Sequence, residues 1–371
     1  MGETVRKQDL DTPALLIDID AMEANIKTMA DYFGTVRPKL RPHMKTHKIP
    51  LITHMQIRAG ALGCCCQKLG EAEVFAQAGI RDILVTNQIA NAEKIRRFVN
   101  LSRWADVTVG VDNLEVAKAI SDAALEAGVV AKVAVEITMV RCGVEAGQPA
   151  VDFVKRLTRL EGLKFMGLWE HEAGDVSAEK SWAKRKEATY RDLARFLETK
   201  HMLEKCGIPV EIFSGGYTAT YDITATFPEI TDIQAGSYVF MDWPYRELEG
   251  LDKFKEALTV LTTVISIPPQ QKELAYTDCG IKNIAHENTS DYTKSTFPKI
   301  KGDLGASLSV CALSEEHGHL KGDTKKVRIG DKLEFIPAHC CTTPPRYDVA
   351  HVVSGDRVVG VWPILARGRH D

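Results

Sequence analysis

The chain has 371 residues, of which 44% are hydrophobic and 26% are charged, and its formal net charge is −3. This length and composition predict a folded protein with a large buried core, divided into two domains. The small net charge gives no electrostatic reason to expect nucleic acid or an anionic membrane as a partner. No apolar run reaches the roughly 18 residues that a membrane span requires, and the first residues lack the apolar segment of a secretory signal, so we expect neither.

The cysteines indicate where the protein is found. The chain contains nine of them, an odd number that includes two groups of adjacent residues. This pattern is not typical of a disulfide framework. It favours a reducing compartment, in which cysteine serves as a small buried residue or as a metal ligand, so we expect a cytoplasmic protein. The cysteines occupy positions 64, 65, 66, 142, 206, 279, 311, 340 and 341.

Between about residues 36 and 240 the chain repeats a short apolar run, a turn and a longer amphipathic segment. The short runs predict eight strands, and several of the longer segments end on a glycine suited to a helix C-terminus. Eight alternations favour a (β/α)8 barrel of the TIM type, at residues 21–250, over an open Rossmann-like sheet, which is the alternative. The eight runs are RPKLRPHMK, GALGCCCQ, DILVTN, DVTVGVDN, AKVAVEIT, LKFMGLWEH, VEIFSGG and IQAGSYVFM.

After residue 250 the pattern changes to apolar residues that alternate with a period of two, punctuated by Gly-Asp and proline. Such alternation predicts antiparallel strands joined by turns. We therefore expect residues 251–371 to form a C-terminal antiparallel β domain. The segment ALLIDID, residues 14–20, precedes the first barrel helix and is expected to add a strand to this domain, which then includes residues 1–20.

The stretch RPHMKTHK, residues 41–48, ends the first predicted strand and contains Lys45. Functional groups of such barrels lie at the C-terminal ends of the strands. Strand alternation would place His43, Lys45 and His47 on one face. Because an inward lysine is costly to bury without a function, Lys45 is either a residue whose amine reaches the rim or a Schiff-base lysine with an unprotonated amine.

Two loops are candidates for a phosphate site. Strand seven is followed by SGGYTAT and strand eight by AGSY, the positions at which TIM-type barrels commonly bind phosphate through backbone N–H groups and hydroxyls. A Gly-Gly pair alone is more often a simple turn. A phosphate site, an inward lysine and a barrel mouth together suggest pyridoxal phosphate, whose ring is an electron sink for carbanions at Cα. Arg141, after strand five, would then contact the phenolate oxygen of the ring.

The second domain contains the sequence His339-Cys340-Cys341. If this segment continues the strand LEFIPA, His339 and Cys341 point to one face and Cys340 to the other. An imidazole and a thiolate two residues apart suit half of a zinc site, which water or substrate would complete. The alternative is a buried free cysteine beside a hydrogen-bonded histidine.

Ten segments spread over nearly the whole chain carry a family resemblance. They are LDTPALLIDIDAMEANI, LRPHMKTHK, GCCCQKLGEAE, AGIRDILVTN, VRCGV, SGG, DIQAGSYVFMD, SEEHG, HCC and VWPILARG. As a set they resemble the fold-type III pyridoxal phosphate enzymes of the D-threonine aldolase and D-serine dehydratase group, which are related to the alanine racemase barrel. The resemblance implies a homodimer, pyridoxal phosphate on Lys45, and a divalent metal, either zinc or manganese or magnesium, on His339 and Cys341.

The same resemblance assigns further site residues. Arg141 is implied to contact the cofactor ring. His171, Glu172 and His317 are candidates for proton transfer or substrate contact, and a structural role is the alternative for each. The other residues implied to surround the cofactor, chiefly its phosphate, are Gln67, Ser214, Gly215, Gly216, Tyr217, Thr218, Gly236, Ser237 and Tyr238.

Two reactions compete within the group. Aldolases cleave a β-hydroxy-D-amino acid to glycine and an aldehyde, whereas dehydratases remove the β-hydroxyl and release ammonia and a keto acid. The segments GCCCQK, RCGV and QAGSYVFMD resemble those of aldolases, so we predict a D-threonine aldolase-like lyase. Cys341 departs from that pattern, because aldolases of the group carry Asp there and zinc-dependent dehydratases carry Cys. A zinc-dependent D-serine or D-threonine dehydratase is therefore the alternative.

Two positions depart from the sequence pattern of the group, and two further hypotheses about the function are open. The usual loop SGGGTGT reads SGGYTAT here, so Tyr217 and Ala219 replace glycines. A racemase built on the same residues is conceivable. A non-catalytic pyridoxal phosphate carrier is the hypothesis from another class of protein, and the second domain with its His-Cys-Cys segment argues against it.

Overall fold

The computed structural model describes residues 5–138, 141–172, 176, 179–287 and 296–371. The chain forms two compact units, between which it passes several times. The β unit comprises Met1–Thr28, Thr46–Ile49 and Ser237–Arg367, and the barrel unit comprises Met29–Lys45, Pro50–Gly236 and Gly368–Asp371. The predicted domain limits, 21–250 against 1–20 with 251–371, stay a prediction.

The barrel unit is built on one parallel sheet. Strand β1, Ala14–Asp18, belongs to the β unit, and the next eight strands form the sheet of the barrel. These strands are β2 Lys39–Leu40, β3 Cys64–Cys66, β4 Asp82–Gln88, β5 Asp106–Val111, β6 Ala131–Glu136, β7 Leu163–Trp169, β8 Ile212–Gly215 and β9 Asp232–Ile233. They pair in the order β2-β9-β8-β7-β6-β5-β4-β3. The path closes because Leu62 N–H donates to Leu40 O at 2.8 Å and Cys65 N–H donates to Pro42 O at 2.9 Å.

Helices alternate with these strands along the chain. Asn91 and Asn113 cap two of them, each accepting from a backbone N–H of the first turn. The alternation of strand and helix confirms the predicted (β/α)8 barrel of the TIM type. No helix in the described ranges is long and apolar enough to cross a membrane. The helices are α1 Ile19–Phe33, α2 Pro50–Arg58, α3 Leu69–Gln77, α4 Ala92–Leu101, α5 Leu114–Glu126, α6 Gln148–Leu157, α7 Trp182–Lys205, α8 Tyr221–Thr224 and α9 Trp243–Arg246.

The first barrel strand ends earlier than predicted. β2 stops at Leu40, and Met44–Thr46 forms a 3-10 helix, so the prediction that Lys45 ends a strand with His43 and His47 on its face is wrong. Pro42 has no N–H to give to a ladder, which favours a turn away from the sheet.

The eighth predicted strand is shortened in the same way. β9 stops at Ile233, and Ser237–Val239 is another 3-10 helix. Met241 N–H donates to Ser237 O at 2.7 Å. This is a contact between residues four apart, which an extended chain cannot make. The predicted strand IQAGSYVFM is therefore mostly a turn.

The β unit contains a nine-stranded mixed sheet. Its strands after β1 are β10 Leu258–Ser266, β11 Leu274–Thr277, β12 Lys299–Ile300, β13 Leu308–Leu313, β14 Gly318–Gly322, β15 Lys332–Ile336, β16 Val349–Ser354 and β17 Arg357–Pro363. β1 joins this sheet as expected, antiparallel to β10. It is also parallel to β16, so the sheet is not wholly antiparallel. No hairpin joins β1 to β16, because the barrel lies between them in sequence, and either direction of pairing is therefore open to them.

Candidate active site

Lys45 lies on the 3-10 helix that follows β2, and its side chain is half-buried. Its backbone N–H donates to Nδ1 of His43 at 3.4 Å, and Nε2 of His43 lies 3.3 Å from the hydroxyl of Thr86. Nδ1 as an acceptor places the imidazole proton on Nε2, which then donates to Thr86. The amide of Gln67 donates to the carbonyl of Thr86 at 3.0 Å. Three residues, from β4 and from the segments after β2 and β3, thus hold the backbone at Lys45.

His171 meets Lys45 and Arg141 at the same mouth, as their electrostatic interaction shows. Burial, and after it the positive charges of Lys45 and Arg141, lowers the pKa of His171 to about 3. The ring packs edge to face against Tyr217, with ring centroids 5.4 Å apart. His171 is therefore a neutral imidazole at physiological pH. The structure brings together Lys45, Gln67, Arg141, His171 and Tyr217, which the sequence places after different strands.

The loop after β8, residues 214–220, is here called the glycine loop. A Cβ at Gly215 would lie 2.2 Å from Oε1 of Glu170, and Gly216 has a φ of +72°. A side chain at Gly215 would displace the end of the buried Glu170 side chain, and the backbone at Gly216 requires glycine. Tyr217 and Ala219, which replace glycines of the usual loop, do not have positive φ, so the substitutions cause no backbone strain.

The serine hydroxyls predicted to hold the phosphate have protein partners. Ser214 Oγ donates to Asp232 Oδ1 at 2.6 Å and accepts from the Gln234 amide at 3.0 Å. In the β unit, Ser237 Oγ lies 3.4 Å from Sγ of Cys341. Their assignment to the phosphate stays a prediction. The other predicted contacts of these two loops, which are buried, are Thr218, Gly236 and Tyr238.

Two buried glutamates adjoin the glycine loop, and sequence reasoning missed the role of Glu170. Glu170 Oε1 accepts from Gly216 N–H at 3.4 Å, and Glu172 accepts from the hydroxyls of Thr220 at 3.0 Å and Thr224 at 2.6 Å. Burial, and next the charge of Glu172, raises the pKa of Glu170 well above its usual range. Burial also raises the pKa of Glu172 to about 7. The signal in the sequence is WEHE at the end of strand six, where both acids directly follow an apolar run.

The raised pKa of Glu172 predicts a pH dependence of stability. In the range between 4.5 and about 7 the folded chain holds a proton on Glu172 that the unfolded chain has released. The proton therefore adds up to about 3 kcal/mol to the free energy of unfolding. This contribution is fully present below pH 4.5 and is lost as the pH rises through 7. We expect Glu172→Gln to flatten this slope, measured as the free energy of unfolding in urea at about pH 5 and pH 8. Glu198→Gln, on the exposed face of α7, is the control, and a Glu172→Gln slope equal to that of the unsubstituted chain would contradict the assignment.

The segment His339-Cys340-Cys341 follows β15 in a bend. The strand ends at Ile336, before Pro337, which cannot donate to a neighbouring strand. The conditional prediction that Cys340 points away from its neighbours is therefore wrong. One donor atom from each of His339, Cys340 and Cys341 lies within 4.8 Å of the other two, and all three residues are buried.

The surroundings of this cluster favour a positive charge. His339 Nδ1 lies 3.2 Å from Asp242 Oδ2, and Thr46 Oγ lies 3.1 Å from Cys341 Sγ. Burial lowers the pKa of His339, but Cys341 and Asp242 outweigh it and raise the pKa well above the usual value. A field that favours a proton on the imidazole also favours a divalent cation beside it.

His317 lies elsewhere in the β unit. It is exposed in the turn between β13 and β14, where its carbonyl accepts from Ser314 N–H at 2.9 Å. In the described part of the chain it is a surface residue, and its catalytic role stays a prediction.

The chain forms a closed barrel of eight parallel strands, with a lysine after the first strand, and it also forms a mixed β sheet. These features define the alanine racemase-like class of proteins. A family model described as the N-terminal domain of alanine racemase matches residues 17–244, and a second, described as a putative serine dehydratase domain, matches residues 257–353. The first match covers more than half of the chain. The chain belongs to the alanine racemase N-terminal domain family.

Individual relatives extend over nearly the whole chain. A 3-hydroxy-D-aspartate aldolase of Paracoccus denitrificans is 32% identical, with 98% of this chain and 94% of that protein covered. A D-threonine aldolase of Arthrobacter sp. is 33% identical, with 97% and 93% covered. The solved structure of D-threonine aldolase from Filomicrobium marinum is 31% identical, with a TM-score of 0.93 and full coverage of both chains.

A dehydratase is also similar, at lower identity. A D-threo-3-hydroxyaspartate dehydratase of Delftia sp. is 28% identical, with 96% of this chain and 97% of that protein covered. Together these relatives confirm the predicted resemblance, and with it the prediction of an enzyme related to D-threonine aldolase.

Proposed function

We propose that the chain is a lyase that depends on pyridoxal phosphate and a divalent metal, and that it cleaves β-hydroxy-D-amino acids to glycine and an aldehyde. The observation that carries the proposal is the presence in one chain of Lys45, with its neighbours at the barrel mouth, and of the buried His339-Cys340-Cys341 donor set. The names of the aldolase relatives support the direction of the reaction. Nine free cysteines support a cytoplasmic location, and a homodimer is what the family resemblance implies.

The barrel residues fit pyridoxal phosphate. Lys45 would hold the cofactor covalently, Arg141 would hold the phenolate oxygen of its ring, and the glycine loop would adjoin its phosphate. When bound, the cofactor supplies an electron sink for the charge that develops at Cα. The two glycines of the loop support this fit, because a side chain at Gly215 would displace the carboxylate of Glu170 and Gly216 has a left-handed φ.

The donor set in the β unit fits zinc, because an imidazole and thiolates are the ligands that zinc prefers. His339 and Cys341 would hold the metal, whose chemistry is that of a Lewis acid toward the β-oxygen of the substrate. Thr46, the residue that follows Lys45 in the chain, contacts Cys341.

His171 is our candidate for the base that accepts the proton of the β-hydroxyl. A pKa of about 3 makes the imidazole of His171 a weak base. The shift arises from burial and from the charges of Lys45 and Arg141, which anionic groups of the cofactor and substrate would offset. We therefore expect the pKa of His171 to rise toward its ordinary value when the site is filled.

A zinc-dependent D-serine or D-threonine dehydratase is the second candidate. Cys341 favours it, because a thiolate at this position selects zinc. The match of residues 257–353 to a putative serine dehydratase domain supports it as well.

Incubation of the metal-loaded holoenzyme with D-threonine separates the candidates. Acetaldehyde with glycine is the result expected for the aldolase, and 2-oxobutanoate with ammonia is the result expected for the dehydratase. Incorporation of deuterium at Cα with inversion, without cleavage, would identify a racemase instead. A yellow protein that forms none of these products from β-hydroxy-D-amino acids would contradict all three enzymes and leave the carrier.

A further inference from the structure

We propose that Asp242 is a positioning residue that holds His339 in the tautomer required for metal binding. The inference rests on the proposed function, because the metal is part of it. Asp242 immediately precedes helix α9, and its side chain is fully buried.

Both oxygens of Asp242 are held by hydrogen bonds within the β unit. Oδ2 lies 3.2 Å from Nδ1 of His339 and accepts from the backbone N–H of Cys340 at 3.1 Å. Oδ1 accepts from the backbone N–H of Tyr245 at 3.2 Å. The carboxylate therefore has a fixed orientation, and one of its oxygens faces the segment that carries the metal ligands.

This geometry decides which nitrogen of His339 is available. A carboxylate can only accept at Nδ1, so Nδ1 keeps its proton, and the proton that a metal would displace is the one on Nε2. Nε2 is then the nitrogen that would bind a metal together with the sulfur of Cys340 or Cys341, each of which lies within 4.8 Å of one nitrogen of the imidazole. A carboxylate on the far nitrogen also raises the basicity of a metal-binding imidazole.

The backbone before Asp242 is strained in a way that supports a functional role. Met241 has a φ of +49°, and it is one of two described non-glycine residues with positive φ. Such a conformation costs of order 1 kcal/mol or more and persists where the surroundings enforce it. Here Met241 N–H donates to Ser237 O, and Phe240 O accepts from Ala257 N–H, each at 2.7 Å. The strained residue turns the chain directly before the carboxylate.

Capping of helix α9 does not account for this residue. Serine and asparagine cap helices about as well as aspartate does. The cap uses only Oδ1, whereas Oδ2 serves His339 and Cys340. Asp242→Ser therefore keeps an acceptor for the helix and removes the contact with His339, which separates the two roles.

The test compares the zinc affinity of Asp242→Ser with that of the unsubstituted full-length chain, both loaded with pyridoxal phosphate. Asp323→Ser is the matched control, because Asp323 also caps a short helix of the β unit, Thr324–Lys326, but is exposed. Competition with a chromophoric chelator measures the affinity. We expect zinc to bind about 10 to 100 times more weakly to Asp242→Ser and equally well to Asp323→Ser.

A second readout is the visible spectrum with Co²⁺ in place of zinc, which we expect to change in Asp242→Ser alone. If Asp242→Ser does not fold, Asp242→Asn replaces it. The same loss of zinc affinity is expected, because the negative charge of the carboxylate beside Nδ1–H of His339 is gone. Equal zinc affinity and an unchanged cobalt spectrum in the folded Asp242 variant would overturn the inference and leave the proposed function intact. Failure of the unsubstituted chain to bind zinc or cobalt would overturn the metal in the proposed function itself.

Discussion

Lys45→Ala is expected to lose the visible absorbance of the cofactor-loaded protein and to reduce cleavage of D-threonine to background. The reason is that covalent attachment requires a primary amine, and Lys45 supplies one beside His171 at the barrel mouth. The absorbance spectrum, the mass of the protein after borohydride reduction, and the rate of aldehyde release check this result.

Lys39→Ala is the control for this experiment, because Lys39 is exposed on β2. Lys48 is unsuitable, although it is nearer in sequence, because it is buried and has a φ of +56°. A substitution there would alter folding as well as charge. A coloured Lys45→Ala protein whose cofactor remains on another lysine after reduction would contradict the assignment.

The barrel was predictable from the sequence because its signals are local. Each strand is a short apolar run, such as DILVTN for β4, and each helix has its own cap and periodicity. The grouping of residues at the barrel mouth followed from one geometric rule, which places functional residues after parallel strands. That rule brought Lys45, Arg141 and His171 to one mouth without any knowledge of their distances.

The turns after the first and last barrel strands were not predictable in this way. Period-two alternation extended β2 to Lys45, but pairing stopped after His43, the residue behind Pro42, and Met44–Thr46 coiled instead. The same error applied to the segment after Ile336, where a proline again ended the strand and brought Cys340 back to its neighbours. Proline at the end of an apolar run was the signal in both places.

Contacts between residues distant in sequence could not be predicted from the sequence. Glu170 adjoins Gly216, and Asp242 faces His339, across separations of 46 and 97 residues. Neither acid belongs to a spacing pattern, because the fold alone brings each pair together. A buried acid directly after an apolar run, as in FMGLWE and YVFMD, is nevertheless costly without a partner, and that cost is the physical hint that the sequence offers.

Removal of the metal is expected to lower the rate of cleavage severely. His339→Ala is expected to lose bound zinc and about 10³-fold in rate, since a Lewis acid contributes several kcal/mol to stabilising the charge on the β-oxygen. Chelation of the unsubstituted holoenzyme should produce the same loss, and added zinc should reverse it. Metal content by atomic emission and the rate of aldehyde release are the measurements, with the exposed Cys311→Ala in the same unit as control.

Cys341→Asp tests which metal the site selects. A carboxylate in place of the thiolate is expected to shift the preference from zinc toward manganese or magnesium, while Lys45 and the barrel keep the cofactor and its colour. The rates with each metal, measured after chelation and restoration, give the order of preference in both proteins. An unchanged preference would show that Cys341 is not a ligand, and that His339 binds the metal with Cys340 instead, whose sulfur lies equally within the buried cluster.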